Sequence, residues 1–148
     1  MPRRRSAAVH SGMPMRWDPD HARVVIVDDN RELLRSAAAF LHARGLSVVG
    51  AFEDAGTALA EAPALDPDVA VIDLRMTGIT GLEAIGYFRE ALPLLGIVVL
   101  TLVVASGYRR RAFAAGADEF VDKARFDTDL IPAILRAARA RRPQETPR

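Results

Sequence analysis

Cysteine is absent from this sequence of 148 residues. Without cysteine the chain forms no disulfide, offers no thiolate nucleophile and builds no zinc–thiolate site. The three histidines, His10, His21 and His42, are scattered along the sequence. Neither the GxxxxGK(S/T) loop that binds nucleotide phosphates nor the dinucleotide-binding GxGxxG loop occurs. These absences exclude cysteine-based catalysis and argue against the common nucleotide-binding families.

A convincing membrane segment is also missing. Residues 91–108 carry no charge over 18 positions, which reaches the lower limit for a span. However, Pro93 and Gly96 interrupt this stretch, and the valines and isoleucine of 97–104 suit a strand buried on both faces. The N-terminal arginines are not followed by the apolar core of about 7 to 15 residues that a secretory signal requires. We therefore expect a cytoplasmic protein with no membrane span.

Charge is balanced overall but uneven along the chain. The formal net charge is +1, from 20 basic and 19 acidic residues. Both ends are rich in arginine, so the segment between them is acidic. Short arginine-rich ends can contact nucleic acid or an acidic partner, but they are more commonly solvated. We expect a basic flexible extension over 1–22, one folded domain over 23–141 and a tail or linker over 142–148.

Short apolar runs alternate with segments of helical periodicity. The runs cover 23–27, 46–52, 69–73, 96–101 and 118–121, and the helical patterns cover about 30–44, 55–62, a stretch opening at Thr80, 106–115 and 128–142. Thr80 and Glu83 form a capping-box signature. We expect Pro132 to lie in the first turn of the last helix. Because parallel strands require helical crossovers, the pattern predicts a doubly wound α/β domain with a five-stranded parallel sheet and five helices.

Polar residues follow the predicted strands at their carboxyl ends, where doubly wound sheets bind ligands. These residues are Asp28, Asp29, Asp73, Thr101 and Lys123. Three carboxylates at one edge repel one another unless a cation lies among them, and hard oxygen ligands suit Mg²⁺. We therefore predict a Mg²⁺ site, with Asp29 as a direct ligand and Asp28 acting directly or through water. Alternatively, Asp29 only caps the first helix, which would leave Asp28 unexplained.

Lys123 is the only lysine among the 20 basic residues. An ammonium group is a compact and flexible point charge that can follow a phosphoryl oxygen, whereas a guanidinium imposes a planar fork. A lone lysine is usually a surface residue. Its position directly after the fifth predicted strand instead favours a role at the acidic edge of the sheet.

Four segments occur in the order and spacing of a known family. They are VIVDDNRELLR, VAVIDLRMTGITGLEAI, VVLT and AAGADEFVDK. Over 23–141 the sequence resembles the receiver domain of two-component response regulators, which implies a flavodoxin-like fold. The resemblance implies that Asp73 is the phosphoacceptor and that Asp28, Asp29, Asp73 and the backbone carbonyl of Arg75 bind Mg²⁺.

The resemblance also implies a switch and its partners. Thr101 and Lys123 match the residues that contact the phosphoryl group, and Phe120 matches an aromatic switch position. The implied partners are a histidine kinase or histidine phosphotransfer protein, an unidentified output protein and a second copy of the chain. Output is expected on the face formed by the fourth helix, fifth strand and fifth helix. No enzymatic activity is expected beyond the Mg²⁺-dependent phosphorylation and dephosphorylation of the domain itself.

Leu102 departs from the family pattern, which has a small residue after the switch threonine. Val103 and Val104 follow it where polar residues are common. A bulky leucine at this position is expected to gate access to Asp73, because in-line attack on phosphorus needs an open approach.

Two other functions compete with a phosphorylated receiver. The chain could be a binding module of the same fold that acts without phosphorylation. A haloacid-dehalogenase-like phosphatase would need a second acid two residues after its nucleophile, where this chain has Arg75. Since the sequence ends soon after the fifth helix, we expect no direct DNA binding by this chain. It is then either a single-domain receiver that signals by protein binding or part of a longer regulator.

Overall fold

The computed structural model describes residues 21–141. The predicted extension and tail lie outside this range, apart from His21 and Ala22. The elements, in chain order, are β1 (Arg23–Val27), α1 (Arg31–His42), β2 (Ser47–Phe52), α2 (Ala55–Leu65), β3 (Val69–Ile72), α3 (Gly81–Ala91), β4 (Gly96–Thr101), α4 (Ser106–Ala115), β5 (Glu119–Asp122) and α5 (Phe126–Arg141). A short 3₁₀ turn over Lys123–Arg125 joins β5 to α5.

The five strands form one parallel sheet in the order β2-β1-β3-β4-β5. The predicted doubly wound fold is therefore confirmed. After β2 the chain returns across β1 to place β3 on its other side, so strand order reverses next to β1. Val27 pairs with Ile72 at the end of this β1–β3 ladder. Residues that follow these two strands consequently emerge side by side at the switch point, where doubly wound folds bind their ligands.

Alternate residues of the strands face two separate hydrophobic cores. Val25 and Val27 face the core under α2, α3 and α4, whereas Val24 and Ile26 face the core under α1 and α5. All four side chains are almost fully buried. Burial on both faces explains why the strand sequences are continuous apolar runs rather than alternating patterns.

The apolar stretch 91–108 is divided among three elements. It contains the last residue of α3, the whole of β4 and the beginning of α4. All six residues of β4 are buried in the sheet. Within residues 21–141, no helix has the length and hydrophobicity needed to cross a membrane.

Two predicted helix boundaries are wrong. We expected α2 to end at residue 62, but it continues through Pro63 to Leu65 and closes at Asp66, whose φ is 53°. Packing of Leu65 against the core outweighs the lost proline hydrogen bond near the helix end. We also expected Pro132 in the first turn of α5, but α5 begins at Phe126. Pro132 is exposed, so water can solvate the carbonyl group that lacks its helical donor.

Gly81 allows α3 to approach the loop after β3 very closely. A Cβ at this position would lie 2.1 Å from the carbonyl oxygen of Asp73 and 2.4 Å from the Cα of Leu74. The Gly81 amide also donates to the Leu74 carbonyl, at 3.1 Å. The backbone of Asp73 and Leu74 leaves no room for a larger residue, so glycine at the start of α3 helps to position Asp73.

Gly81→Ala is expected to lower the free energy of unfolding by about 1 to 3 kcal/mol, because the backbone must shift to accept the methyl group. Gly86→Ala, in the same helix, is the matched control, since a Cβ there meets nothing within 4 Å. It should raise stability by about 0.5 to 1 kcal/mol, the gain from alanine inside a helix. Urea unfolding measures both values, and equal effects of the two substitutions would contradict the close approach.

Candidate functional site

Three carboxylates meet at the carboxyl edge of the sheet. Asp28 extends β1 by donating its amide to the Phe52 carbonyl, and the Asp73 amide donates to the Val27 carbonyl, both at 3.0 Å. Asp28 and Asp73 are buried, whereas Asp29 is exposed. One carboxylate oxygen from each of the three residues lies within 4.8 Å of the other two. The fold thus gathers an acidic cluster that can hold a metal ion.

Lys123 reaches the same cluster from the end of β5. Its Nζ lies 2.7 Å from Asp28 Oδ2 and 3.1 Å from Asp73 Oδ2. All three side chains are largely shielded from solvent, with side-chain exposures of 14%, 2% and 7% for the lysine, Asp28 and Asp73. At these distances and this degree of burial, the ammonium group offsets much of the repulsion between the two carboxylates.

Burial and hydrogen bonding shift the pKa of Asp28 in opposite directions, and the same holds for Lys123. Removal from water raises the pKa of Asp28, and the hydrogen bonds from Lys123 and from the Asn30 amide only partly offset this. For Lys123, burial lowers the pKa, but the hydrogen bonds and charges of Asp28 and Asp73 outweigh it and raise the pKa overall. The ammonium form of Lys123 is therefore firmly held beside the acids.

Backbone amides fix the orientation of the two buried carboxylates. Asp28 Oδ1 accepts a hydrogen bond from the Asn30 amide at 2.8 Å, and Asp73 Oδ1 accepts one from the Arg75 amide at 3.3 Å. Asn30, not Asp29, caps α1 by accepting from the Leu33 amide. The alternative that Asp29 is the helix cap is therefore wrong, and its carboxylate is available to the acidic cluster.

The two predicted switch residues lie on neighbouring strands. Thr101 ends β4 and is fully buried, and its Oγ1 accepts a hydrogen bond from the Val103 amide at 3.2 Å. Phe120 lies in β5, half-buried, and packs against Phe113 of α4 with ring centroids 6.5 Å apart. Leu102, the predicted gate, leaves 69% of its surface in solvent.

The close approach at Gly81 and the contact of Arg109 with Phe120 were not predicted from the sequence. A glycine between the capping residue Thr80 and the first apolar residue of α3 could have indicated close packing. The guanidinium group of Arg109 lies over the ring of Phe120 at 5.4 Å from its centroid. No signal in the sequence distinguishes it from its neighbours Arg110 and Arg111, since helical periodicity alone does not show which arginine faces β5.

The sequence model of the response regulator receiver domain matches residues 24–135. The chain therefore belongs to the response regulator receiver family. Three similar proteins support the same conclusion from sequence, and two solved structures support it from the fold.

Curated relatives are longer than this chain. The transcriptional regulatory protein KdpE of Mycobacterium tuberculosis is 36% identical over 115 residues, which are 78% of this chain and 50% of KdpE. A protein-glutamate methylesterase/protein-glutamine glutaminase of Cereibacter sphaeroides is 34% identical over 138 residues, or 91% of this chain and 38% of that protein. The response regulator GacA of Pseudomonas viridiflava is 32% identical over 114 residues. The chain spans about half, or less, of the length of the first two relatives.

Solved structures of receiver proteins have the same fold. A LuxR-family two-component response regulator from Aurantimonas gives a TM-score of 0.77 at 31% identity, covering 82% of this chain and 88% of that chain. The isolated receiver domain of RcsB from Salmonella enterica serovar Typhimurium, determined with the phosphomimetic BeF₃⁻, gives 0.72 at 29% identity. That match covers 81% of this chain and 89% of the RcsB chain.

Proposed function

We propose that this chain is a phosphorylated signalling switch that accepts a phosphoryl group on Asp73 from a histidine kinase or histidine phosphotransfer protein. The observation that carries the proposal is the bridge from Lys123 to both Asp28 and Asp73 at the edge of a receiver fold. An acceptor carboxylate needs a cation beside it to take on a phosphoryl group, which brings further negative charge.

The transfer step follows from these residues. A carboxylate oxygen of Asp73 attacks phosphorus, the bond from phosphorus to the donor imidazole breaks, and the imidazole nitrogen keeps the electron pair. The Arg75 amide holds Oδ1 of Asp73 while Lys123 contacts Oδ2. These two contacts fix the carboxylate before the donor arrives. Lys123 then follows the new phosphoryl oxygens, because its flexible stem ends in a point charge.

The acidic cluster fits Mg²⁺ by the chemistry of its donors. Asp28, Asp29 and Asp73 offer hard anionic oxygens, and Mg²⁺ binds through one or two carboxylates, water and phosphate oxygens. When bound, Mg²⁺ supplies positive charge that stabilises the transferring phosphoryl group. We propose these three carboxylates as its ligands, together with the backbone carbonyl of Arg75. Exposed Asp29 is the most accessible of the three to a hydrated ion.

Asp29→Ala is expected to weaken Mg²⁺ binding by about tenfold or more, since loss of even an outer-shell partner typically costs that much. Calorimetry or amide NMR measures the affinity. Intrinsic fluorescence is a poor assay because the single tryptophan, Trp17, lies outside the predicted domain. Asp127→Ala, which removes an exposed aspartate at the start of α5, should leave the affinity unchanged. Equal Mg²⁺ affinity in the two variants would count against the site.

We further propose that the face formed by α4, β5 and α5 carries the signal to an output protein or to a second copy of the chain. Tyr108 and Phe113 of α4 are more than one-third exposed. The arginines at 109, 110 and 111 lie among them, and arginine and tyrosine are favoured at binding interfaces. On phosphorylation, Thr101 turns its hydroxyl toward the phosphoryl group and Phe120 repacks beneath α4, which alters this surface.

Incubation with acetyl phosphate and Mg²⁺ is expected to add one phosphoryl group to the wild-type chain, seen by intact-mass spectrometry. Asp73→Asn should remove the labelling, because a neutral amide is no nucleophile for phosphorus, while Asp127→Asn should label normally. Labelling of Asp73→Asn at the wild-type level would refute the assignment. Partners retained equally by unphosphorylated and phosphorylated protein in a pull-down would instead support a binding module that acts without phosphorylation.

We also propose that Leu102 gates the site. It directly follows Thr101, and its exposed side chain is available to contact an incoming donor. Leu102→Ala is expected to speed both labelling by acetyl phosphate and decay of the aspartyl phosphate by on the order of a few-fold, because both donor and water gain an open approach. Val104→Ala, in the same exposed loop, is the control. If Leu102→Ala labels and decays at the wild-type rates, the gate does not exist.

A further inference from the structure

The beginning of α4 is weakly stabilised by its own sequence. Ala105 occupies the cap position and makes no side-chain hydrogen bond, whereas α1, α2 and α3 begin with side-chain caps. Gly107 lies in the first turn and lowers helix propensity. Arg109 places a positive charge near the positive end of the helix dipole. In the described helix only Ala112 is buried, so little packing compensates for these features.

The end of α4 is firmly attached to the rest of the domain. Arg89 of α3 donates to the carbonyl of Gly116 at 2.7 Å and pairs with Asp118 at 3.1 Å. Asp118 also accepts a hydrogen bond from the amide of Ile97 at 2.9 Å. These contacts are largely shielded from water and link the turn after α4 to both α3 and β4. The helix is therefore held at its C-terminal end and weakly held at its beginning.

Arg109 makes the aromatic contacts that join the first turn of α4 to β5. Its guanidinium carbon lies 5.3 Å from the ring centroid of Phe113 and 5.4 Å from that of Phe120. Both distances fall within the range of cation–π attraction. Within residues 21–141, no carboxylate forms an ion pair with this guanidinium group. The two rings are thus its specific contacts.

We propose that Arg109 is a positioning residue whose guanidinium group holds the Phe120 ring in its present half-buried place and so couples the first turn of α4 to β5. This inference rests on the proposed function, because it takes from it the role of Phe120 in signalling. The contact opposes movement of Phe120 before phosphorylation. It therefore sets how readily the domain switches, without touching the phosphoryl group.

The test is NMR of the full chain with ¹³C-labelled phenylalanine, in which Phe120→Leu identifies the Phe120 signal among the six phenylalanines. Spectra of wild type, Arg109→Gln and Arg110→Gln are recorded free and with beryllofluoride and Mg²⁺. In free Arg109→Gln, the Phe120 signal should move toward its beryllofluoride position. The size of the shift should correspond to a roughly two- to fivefold increase in the population of the beryllofluoride ring position relative to the ring position in the free wild type.

Arg110→Gln removes the same charge from the next, exposed residue of α4, and its Phe120 signal should coincide with that of wild type. Arg109→Lys keeps a cation and should lie nearer to wild type than Arg109→Gln does. A Phe120 signal in Arg109→Gln that coincides with those of wild type and Arg110→Gln would overturn the proposal. Displacement in Arg109→Lys as large as in Arg109→Gln would also overturn it, since the cation would then be irrelevant.

Failure of the proposed role of Arg109 can be distinguished from failure of the proposed phosphorylation of Asp73. Comparison of the free Arg109 and Arg110 variants needs no phosphoryl group, so a displaced Phe120 signal in Arg109→Gln alone supports the coupling even if Asp73 does not label. Conversely, normal labelling of Asp73 with an unmoved Phe120 signal in Arg109→Gln retains the phosphorylated switch and rejects the role of Arg109.

Discussion

Two buried carboxylates side by side are tolerable only with a cation between them, and this requirement governs the arrangement of the domain. Asp28 and Asp73 follow adjacent strands, and both side chains are buried away from water. The charge that compensates them comes from Lys123, which directly follows the edge strand β5. The positions of β1, β3 and β5 are thus tied to one another by electrostatics as well as by the hydrogen bonds of the ladders. A buried charge left without its partner would cost several kcal/mol.

Much of this arrangement could be predicted, because the sequence marks the strand ends clearly. Apolar runs stop abruptly at Asp28 and Asp73, and a parallel sheet brings such ends to one edge. What could not be predicted depends on packing between distant segments. Nothing near Pro63 indicates that Leu65 will pack on the core and extend α2 past the proline. A role for Lys123 at the acidic edge was predicted, but its bridge to both Asp28 and Asp73 depends on how far β5 extends, which local periodicity does not specify.

The helices α5 and α4, on opposite faces of the sheet, differ in how closely they pack. On one face, α5 lies so close to β4 that a Cβ on Gly96 would meet the Ala137 carbonyl at 2.6 Å. On the other face, α4 buries only Ala112. A change of charge at the shared edge acts on both faces, but the work needed to displace α4 is far smaller than that needed to displace α5. We infer that the structural response is directed by this difference in packing, and not by a dedicated path of contacts between the site and the surface.

The sparse burial of α4 also bears on how such a domain can diverge. Substitutions at buried positions destabilise proteins far more than those at exposed positions. In α4 nearly every side chain except that of Ala112 is free of this constraint, so the helix can change its outer residues without loss of the fold. A lineage can therefore acquire new binding partners through α4 while the acidic edge stays intact. The helix α4, part of the surface proposed to recognise partners, is thus largely free of the packing constraints that maintain the fold.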